Sequence, residues 1–294
     1  MVISPGQASV GFIGLGVMGH SMAGHILAGG YDLHVYTRTA SKAEELTGRG
    51  AVWQETPAKL AQACDIILTM VGYPQDVEEL YLGEDGLIAN ARHGAYLLDM
   101  TTSSPALARR IGEAADKRGL HALDAPVSGG DIGAREGRLS IMIGGEAEDV
   151  EALRPILSLM GRQIVHQGPA GAGQHTKMCN QIAIASNMMG VCEAMAYAES
   201  AGLDPQTVLK SIESGAAGSW SLSNLAPRII AGDLAPGFYI KHFIKDMGIA
   251  LESAKEMNLS TPGLSLAEAL YRQLAEKGYQ DQGTQALIRY YSSM

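Results

Sequence analysis

Three short clusters carry residue types that could do chemistry. In the first, Gly14, Gly16 and Gly19 form G-x-G-x-x-G, with Leu15, Val17 and Met18 between them, directly after an apolar run at residues 10–13. The first glycine of such a turn permits its sharp bend. The second lets a pyrophosphate reach the backbone, and the third lets helix and strand pack closely. Free N–H groups at the helix start then face the phosphates. In the second, Ser128, Gly129 and Gly130 follow an apolar run at 121–123, so a hydroxyl and two N–H groups could hold a carboxylate. In the third, Lys177 is followed three and four residues on by Asn180 and Gln181, which places an ammonium and two amides on one helical face. Such an amine can give a proton to a carbonyl oxygen or take one from a hydroxyl. Desolvation beside other cations would bring its pKa toward the working range. Each cluster also has a plainer reading. Glycine pairs make turns, and a lysine in a first helical turn can simply reach water.

The residues after the second apolar run select the dinucleotide. An NAD site usually has an acid there for the ribose hydroxyls, about 20 positions past the glycines. This chain has Thr37-Arg38-Thr39, with Lys42 one turn later, while Asp32 lies at the wrong end of the run. Arg38 can fork onto a 2′-phosphate and Lys42 adds a point charge, so NADP is the expected cofactor and NAD the second choice.

The elements that must position these groups are legible in outline. Apolar runs at 10–13, 33–36, 66–70, 95–99, 121–123, 139–143 and 164–166 alternate with amphipathic helical stretches. This is the pattern of an α/β fold with a doubly wound, Rossmann-type sheet over residues 1–168, and the order of the later strands stays open. Beyond Gly168, residues 174–201 hold one internal glycine, Gly190, and no proline, which predicts a helix about 42 Å long. It is apolar on most sides and is expected to be buried on most sides. Helical patterns at 205–214, 222–231, 245–257, 264–277 and 285–291 make residues 169–294 an all-α domain.

Composition narrows the function classes. With 46% hydrophobic and 18% charged residues, the chain has the balance of a globular protein with a substantial core. A formal net charge of −9 argues against binding nucleic acid or anionic membrane by bulk electrostatics. Cys64, Cys179 and Cys192 lie in apolar runs without metal-ligand spacing and read as reduced core residues. The histidines show no paired helical spacing, so no metal site is expected. No run reaches the length of a membrane span and residues 1–8 lack a secretion signal, so a cytoplasmic location is expected.

Four segments, in order and at matching spacing, resemble the β-hydroxyacid dehydrogenase family. They are Gly11-Phe-Ile-Gly-Leu-Gly-Val-Met-Gly19, Asp124-Ala-Pro-Val-Ser-Gly-Gly130, Gly173-Gln-His-Thr-Lys-Met-Cys-Asn-Gln181 and Ile244-Lys-Asp246. The resemblance spans nearly the whole chain. It implies a Rossmann-type domain, a long interdomain helix and an all-α domain, assembled as a homodimer or homotetramer. It implies hydride transfer between NADP(H) and a small hydroxy acid or its aldehyde or keto partner, with Lys177 as general acid/base. Ser128, Gly129 and Gly130 would hold the substrate carboxylate, and Asn180 or Gln181 the substrate oxygen. The family often has Asn where this chain has Gln181. Met70, Val71 and Thr102 would border the nicotinamide, with Lys245 touching the cofactor beside Asp246. Trp220 and Phe238 would shape the pocket. Two rivals are an imine reductase on the same fold, which usually lacks the lysine, and a non-catalytic NADP-binding module, which would have lost the lysine or the carboxylate-holding turn.

Overall fold

The structure, a computed structural model, describes residues 3–291, and the chain divides into two compact units, one ending at Lys177 and the other beginning at Met178. The first unit is built on nine strands: β1 (Ser9–Ile13), β2 (Asp32–Tyr36), β3 (Val52–Trp53), β4 (Ile66–Thr69), β5 (Tyr96–Asp99), β6 (His121–Asp124), β7 (Val127–Ser128), β8 (Leu139–Gly144) and β9 (Gly161–Gly168). Six of them run parallel in the order β3-β2-β1-β4-β5-β6. β8 then pairs antiparallel with both β6 and β7, and β9 closes the far side parallel to β8.

Period-two alternation explains why helices cover both faces. In β1, Val10 and Phe12 enter one apolar cluster with Leu33, Val35, Met22 and Ile26. Ile13 enters the opposite cluster with Leu60, Ile67 and Leu97. A Cβ on Gly11 would lie 2.3 Å from Leu60 Cδ2, so the strand needs glycine there for the helix Pro57–Ala63 to approach. Strands buried on both faces read as unbroken apolar runs, which is how these were legible. β3 and β7 were not expected. Each has two residues, too few for any periodic signal.

The chain begins in the sheet's interior, moves outward through β2 and β3, and returns to the other side of β1 as β4. Strand order therefore reverses between β1 and β4, and the crevice beyond their carboxyl ends is where such sheets bind ligands.

The second unit is helical: Pro205–Ile212, Trp220–Asn224, Ala226–Ile230, Ile240–Glu256 and Pro262–Glu276, ending in Ile288–Tyr291. Its core gathers Met188, Met195, Phe243, Met247, Tyr271 and Leu274, with the Tyr271 hydroxyl donating to Thr284 O at 2.7 Å. The single helix expected over 222–231 is two, because Pro227 starts a new first turn instead of continuing the old one. The long helix, Ala172–Ser200, has 29 residues and carries the division between the units within its length. It is less buried than expected: Cys179, Ala183, Ser186, Gly190, Glu193 and Tyr197 form an exposed stripe along it. Alanine and glycine suit either environment, so counting them as apolar overstated the burial. Cys179 is thus exposed, unlike the buried Cys64 and Cys192. Among the described residues no helix is long and apolar enough to cross a membrane.

Candidate active site

The glycine turn leaves β1 where the sheet reverses. Gly14 has φ +99°, and a Cβ there would lie 2.2 Å from Met70 O at the end of β4. Its N–H donates to Tyr36 O at 2.9 Å, so the turn is pinned between β2 and β4. A Cβ on Gly19 would fall 1.9 Å from Gly14 O, which requires glycine where the helix Gly19–Ala28 folds back on the turn. Gly16 differs: nothing lies within 4 Å of its Cβ position. Glycine there keeps space open above N–H groups that a helix start leaves unbonded. That empty space beside free donors is what a pyrophosphate requires, so the turn fits a dinucleotide.

Leu15, Gly16, Val17, His20, Ser41, Lys42 and Glu45 line a groove of about 450 Å³ beside the turn. Lys42 reaches it from the short turn Ala40–Ala43 that follows β2, with Thr37 and Thr39 just before. Arg38 is 81% exposed in its side chain and lies 3.4 Å from Asp76 Oδ1, a weak surface pairing.

A buried polar network sets the far side of the crevice. Asp99, at the end of β5, accepts from Thr69 Oγ1 and from Thr101 N, both at 3.0 Å. Thr69 Oγ1 also lies 2.9 Å from the Tyr81 hydroxyl, and Thr101 Oγ1 accepts from Val71 N at 3.0 Å. The network therefore holds the Met70–Val71 turn and the loop carrying Thr102. Burial pushes the Asp99 carboxyl up to about 6 against the pull of these donors, with the nearby Asp124 adding to the rise.

Asp124, at the end of β6, fastens the start of the long helix. Its Oδ1 accepts from Gly171 N and its Oδ2 from Gln174 N, each at 2.7 Å. Burial raises this carboxyl to about 6 as well, opposed by those backbone donors. Gln174 adds a second fastening, accepting from Ser103 N at 2.9 Å and donating to Thr101 O at 2.7 Å. Sequence reasoning quoted both residues within motifs but gave them no task. The available signal was a carboxylate ending an apolar strand and an amide opening a helix.

These fastenings aim Lys177. It is only 7% exposed, and its Nζ donates to Val127 O at 2.9 Å, on the strand β7 that continues into Ser128. The reading in which it merely reaches water is therefore excluded. Gly129 (φ +127°) and Gly130 (φ +64°) follow at once, in backbone conformations that other residues rarely adopt, and open the helix Gly130–Arg135. Amine, hydroxyl and turn thus come together within the first unit.

The second unit holds a chain of polar contacts. Asn180 Nδ2 donates to Gln181 Oε1 at 2.8 Å, and Gln181 Nε2 donates to Asp246 Oδ2 at 2.5 Å. Asp246 Oδ1 lies 2.9 Å from Lys245 Nζ, and both side chains are largely buried. Gln181 is fully buried and committed on both ends of its amide, whereas Asn180 is half-buried. Phe238 is half-buried against Phe243, with ring centroids 5.4 Å apart, while Trp220 is 58% exposed at the start of its helix. His242 is half-buried near Lys245, and burial with that lysine's charge holds its imidazole below the usual range.

Residues 9–168 match the family described as the NAD-binding domain of 6-phosphogluconate dehydrogenase. Residues 171–291 match that described as NAD-binding of NADP-dependent 3-hydroxyisobutyrate dehydrogenase. The chain belongs to the β-hydroxyacid dehydrogenase family. An oxidoreductase of Bacillus subtilis, YkwC, is 62% identical across 96% of this chain and 98% of its own. The NAD-dependent L-serine dehydrogenase of Pseudomonas aeruginosa is 40% identical across 92% of this chain and 93% of its own. Among solved structures, the 3-hydroxyisobutyrate dehydrogenase of Mycobacterium tuberculosis with L-serine superposes with a TM-score of 0.88 at 28% identity, covering 96% of this chain and 98% of that one. This family member is accordingly an NAD(P)-dependent oxidoreductase of the hydroxyacid dehydrogenase type.

Proposed function

We propose that the protein interconverts a small hydroxy acid and its aldehyde or keto partner, using NADP(H) in preference to NAD(H), with Lys177 as the general acid/base. The observation that carries this reading is the buried Lys177 amine on Val127 O, one residue from Ser128. A lysine kept for solubility has no reason to spend its donors on a carbonyl at a sheet edge. The glycine turn would hold the pyrophosphate, Lys42 and Arg38 the 2′-phosphate, and Met70, Val71 and Thr102 would border the nicotinamide ring. The dinucleotide, when bound, supplies or takes up the hydride.

The chain's own groups do the rest. Lys177 gives a proton to the substrate oxygen during reduction and removes it during oxidation. The Ser128 hydroxyl and the N–H groups of Gly129 and Gly130 hold the carboxylate, fixing the reacting carbon relative to the amine. Asn180 or Gln181 would hold the substrate oxygen. Lysine at position 177 also favours this reaction over imine reduction, whose enzymes usually lack it.

The test is Lys177→Met, assayed by the NADPH absorbance band with a panel of short aldehydo acids. Turnover should fall by about 10²–10⁴, the usual worth of a positioned acid, while NADPH still binds. Turnover near the wild-type rate in that variant overturns the assignment.

A further inference from the structure

The groove beside the glycine turn contains a carboxylate that the proposed cofactor would not welcome. Glu45 lines the same groove as Lys42, Ser41 and Gly16. In a site meant for a doubly charged phosphate it stands as a like charge and should weaken binding. The structure shows how that charge is handled. Glu45 Oε1 lies 3.2 Å from Arg49 Nη1, one helical turn on, and its Oε2 lies 3.2 Å from His20 Nε2. His20 belongs to the first turn of the helix that follows the glycines and lines the same groove. Both carboxylate oxygens are thereby occupied by cationic or hydrogen-donating partners.

We infer that Glu45 tunes how strongly this groove discriminates a nucleoside 2′-phosphate from a free 2′-hydroxyl, and that His20 acts on this discrimination through Glu45. The inference rests on the NADP reading above. With its partners in place, part of the Glu45 charge is offset, so Lys42 faces a reduced like-charge opposition in the groove. Released from His20, the carboxylate keeps one partner, Arg49, and its field returns to the groove. Glu45 is thus a specificity residue and His20 a positioning residue.

The experiment compares binding of 2′,5′-ADP and 5′-AMP by calorimetry at fixed pH and low salt, with no turnover required. The two nucleotides share the adenosine 5′-phosphate, so the ratio of their affinities isolates the 2′-phosphate. Glu45→Gln should raise that ratio about three- to tenfold, the worth of removing one like charge at the edge of a solvated groove. His20→Ala should lower it about threefold. In the Glu45→Gln background, His20→Ala should leave the ratio unchanged, because the carboxylate it restrains is gone. Equal losses from His20→Ala in both backgrounds would mean that His20 meets the phosphate directly, and would overturn the inference alone. An unchanged ratio in Glu45→Gln would also overturn it. A wild-type protein that binds 2′,5′-ADP no more tightly than 5′-AMP would overturn the NADP reading together with it.

Discussion

Asp124→Asn tests whether the buried strand-end carboxylate fastens the start of the long helix in the way its contacts indicate. The wild-type side chain accepts from two backbone N–H groups, at Gly171 and Gln174. Asparagine can accept only one of them and must turn an NH₂ group toward the other. Leaving one buried donor unpaired costs about 1–3 kcal/mol. The sign of the pH dependence opposes that cost. The carboxyl titrates at about 6 in the folded chain against a reference of 3.8, because burial disfavours its charge. The folded state therefore binds more protons than the unfolded state between those values. The stabilisation present below pH 4 is lost as pH rises through 6. Linkage over pH 5 to 7.5 then removes about 1–2 kcal/mol of wild-type stability at this residue. Asp99, also at about 6, adds a similar decline, which the variant retains apart from the share that the Asp124 charge contributes. Urea unfolding at the two pH values should show Asp124→Asn less stable at pH 5, with the deficit smaller by about 1–2 kcal/mol at pH 7.5. A deficit that is equal at both pH values, or larger at pH 7.5, refutes the reasoning. So does a variant as stable as wild type at pH 5.

Gly14→Ala and Gly16→Ala should part company: the first puts a methyl 2.2 Å from Met70 O at positive φ, the second into open space. Thermal unfolding should show Gly14→Ala strongly destabilised and Gly16→Ala near wild type, yet calorimetry should show NADPH binding weakened at least tenfold in Gly16→Ala. Unimpaired binding there would mean that the pyrophosphate does not approach this backbone. Arg38→Asp should move the ratio of kcat/KM for NADPH over NADH toward NADH by about ten- to a hundredfold, since it replaces a phosphate-pairing cation with a ribose-pairing acid; an unchanged ratio refutes its part in 2′-phosphate recognition.

Much of the architecture could be read from local pattern. Strands β1, β4 and β5 announce themselves because both sheet faces are buried, so each is a compact apolar run, while β2 alternates Leu33 and Val35 inward with more exposed neighbours. The glycine spacing is equally local, since bend and close approach are properties of the backbone within one turn. β3 and β7 were not legible, because two residues carry no period, and the split at Pro227 was not, because each of the two five-residue helices is little more than one turn.

The sequence by itself determined the α/β organisation, the helical second half and the residue types available for chemistry, because these follow from periodicity and backbone constraint. Only the tertiary structure decided that Lys177 turns inward onto Val127 O, that Asp124 and Gln174 fasten its helix, and that Gln181 is taken up by Asp246. In the first unit these contacts join residues about 50 to 70 positions apart, and the pairing of Gln181 with Asp246 spans a similar distance in the second. A polar side chain carries no mark of which distant donor will meet it. Whether an amine is buried or bathed in water depends on where the sheet's edge happens to lie beneath it.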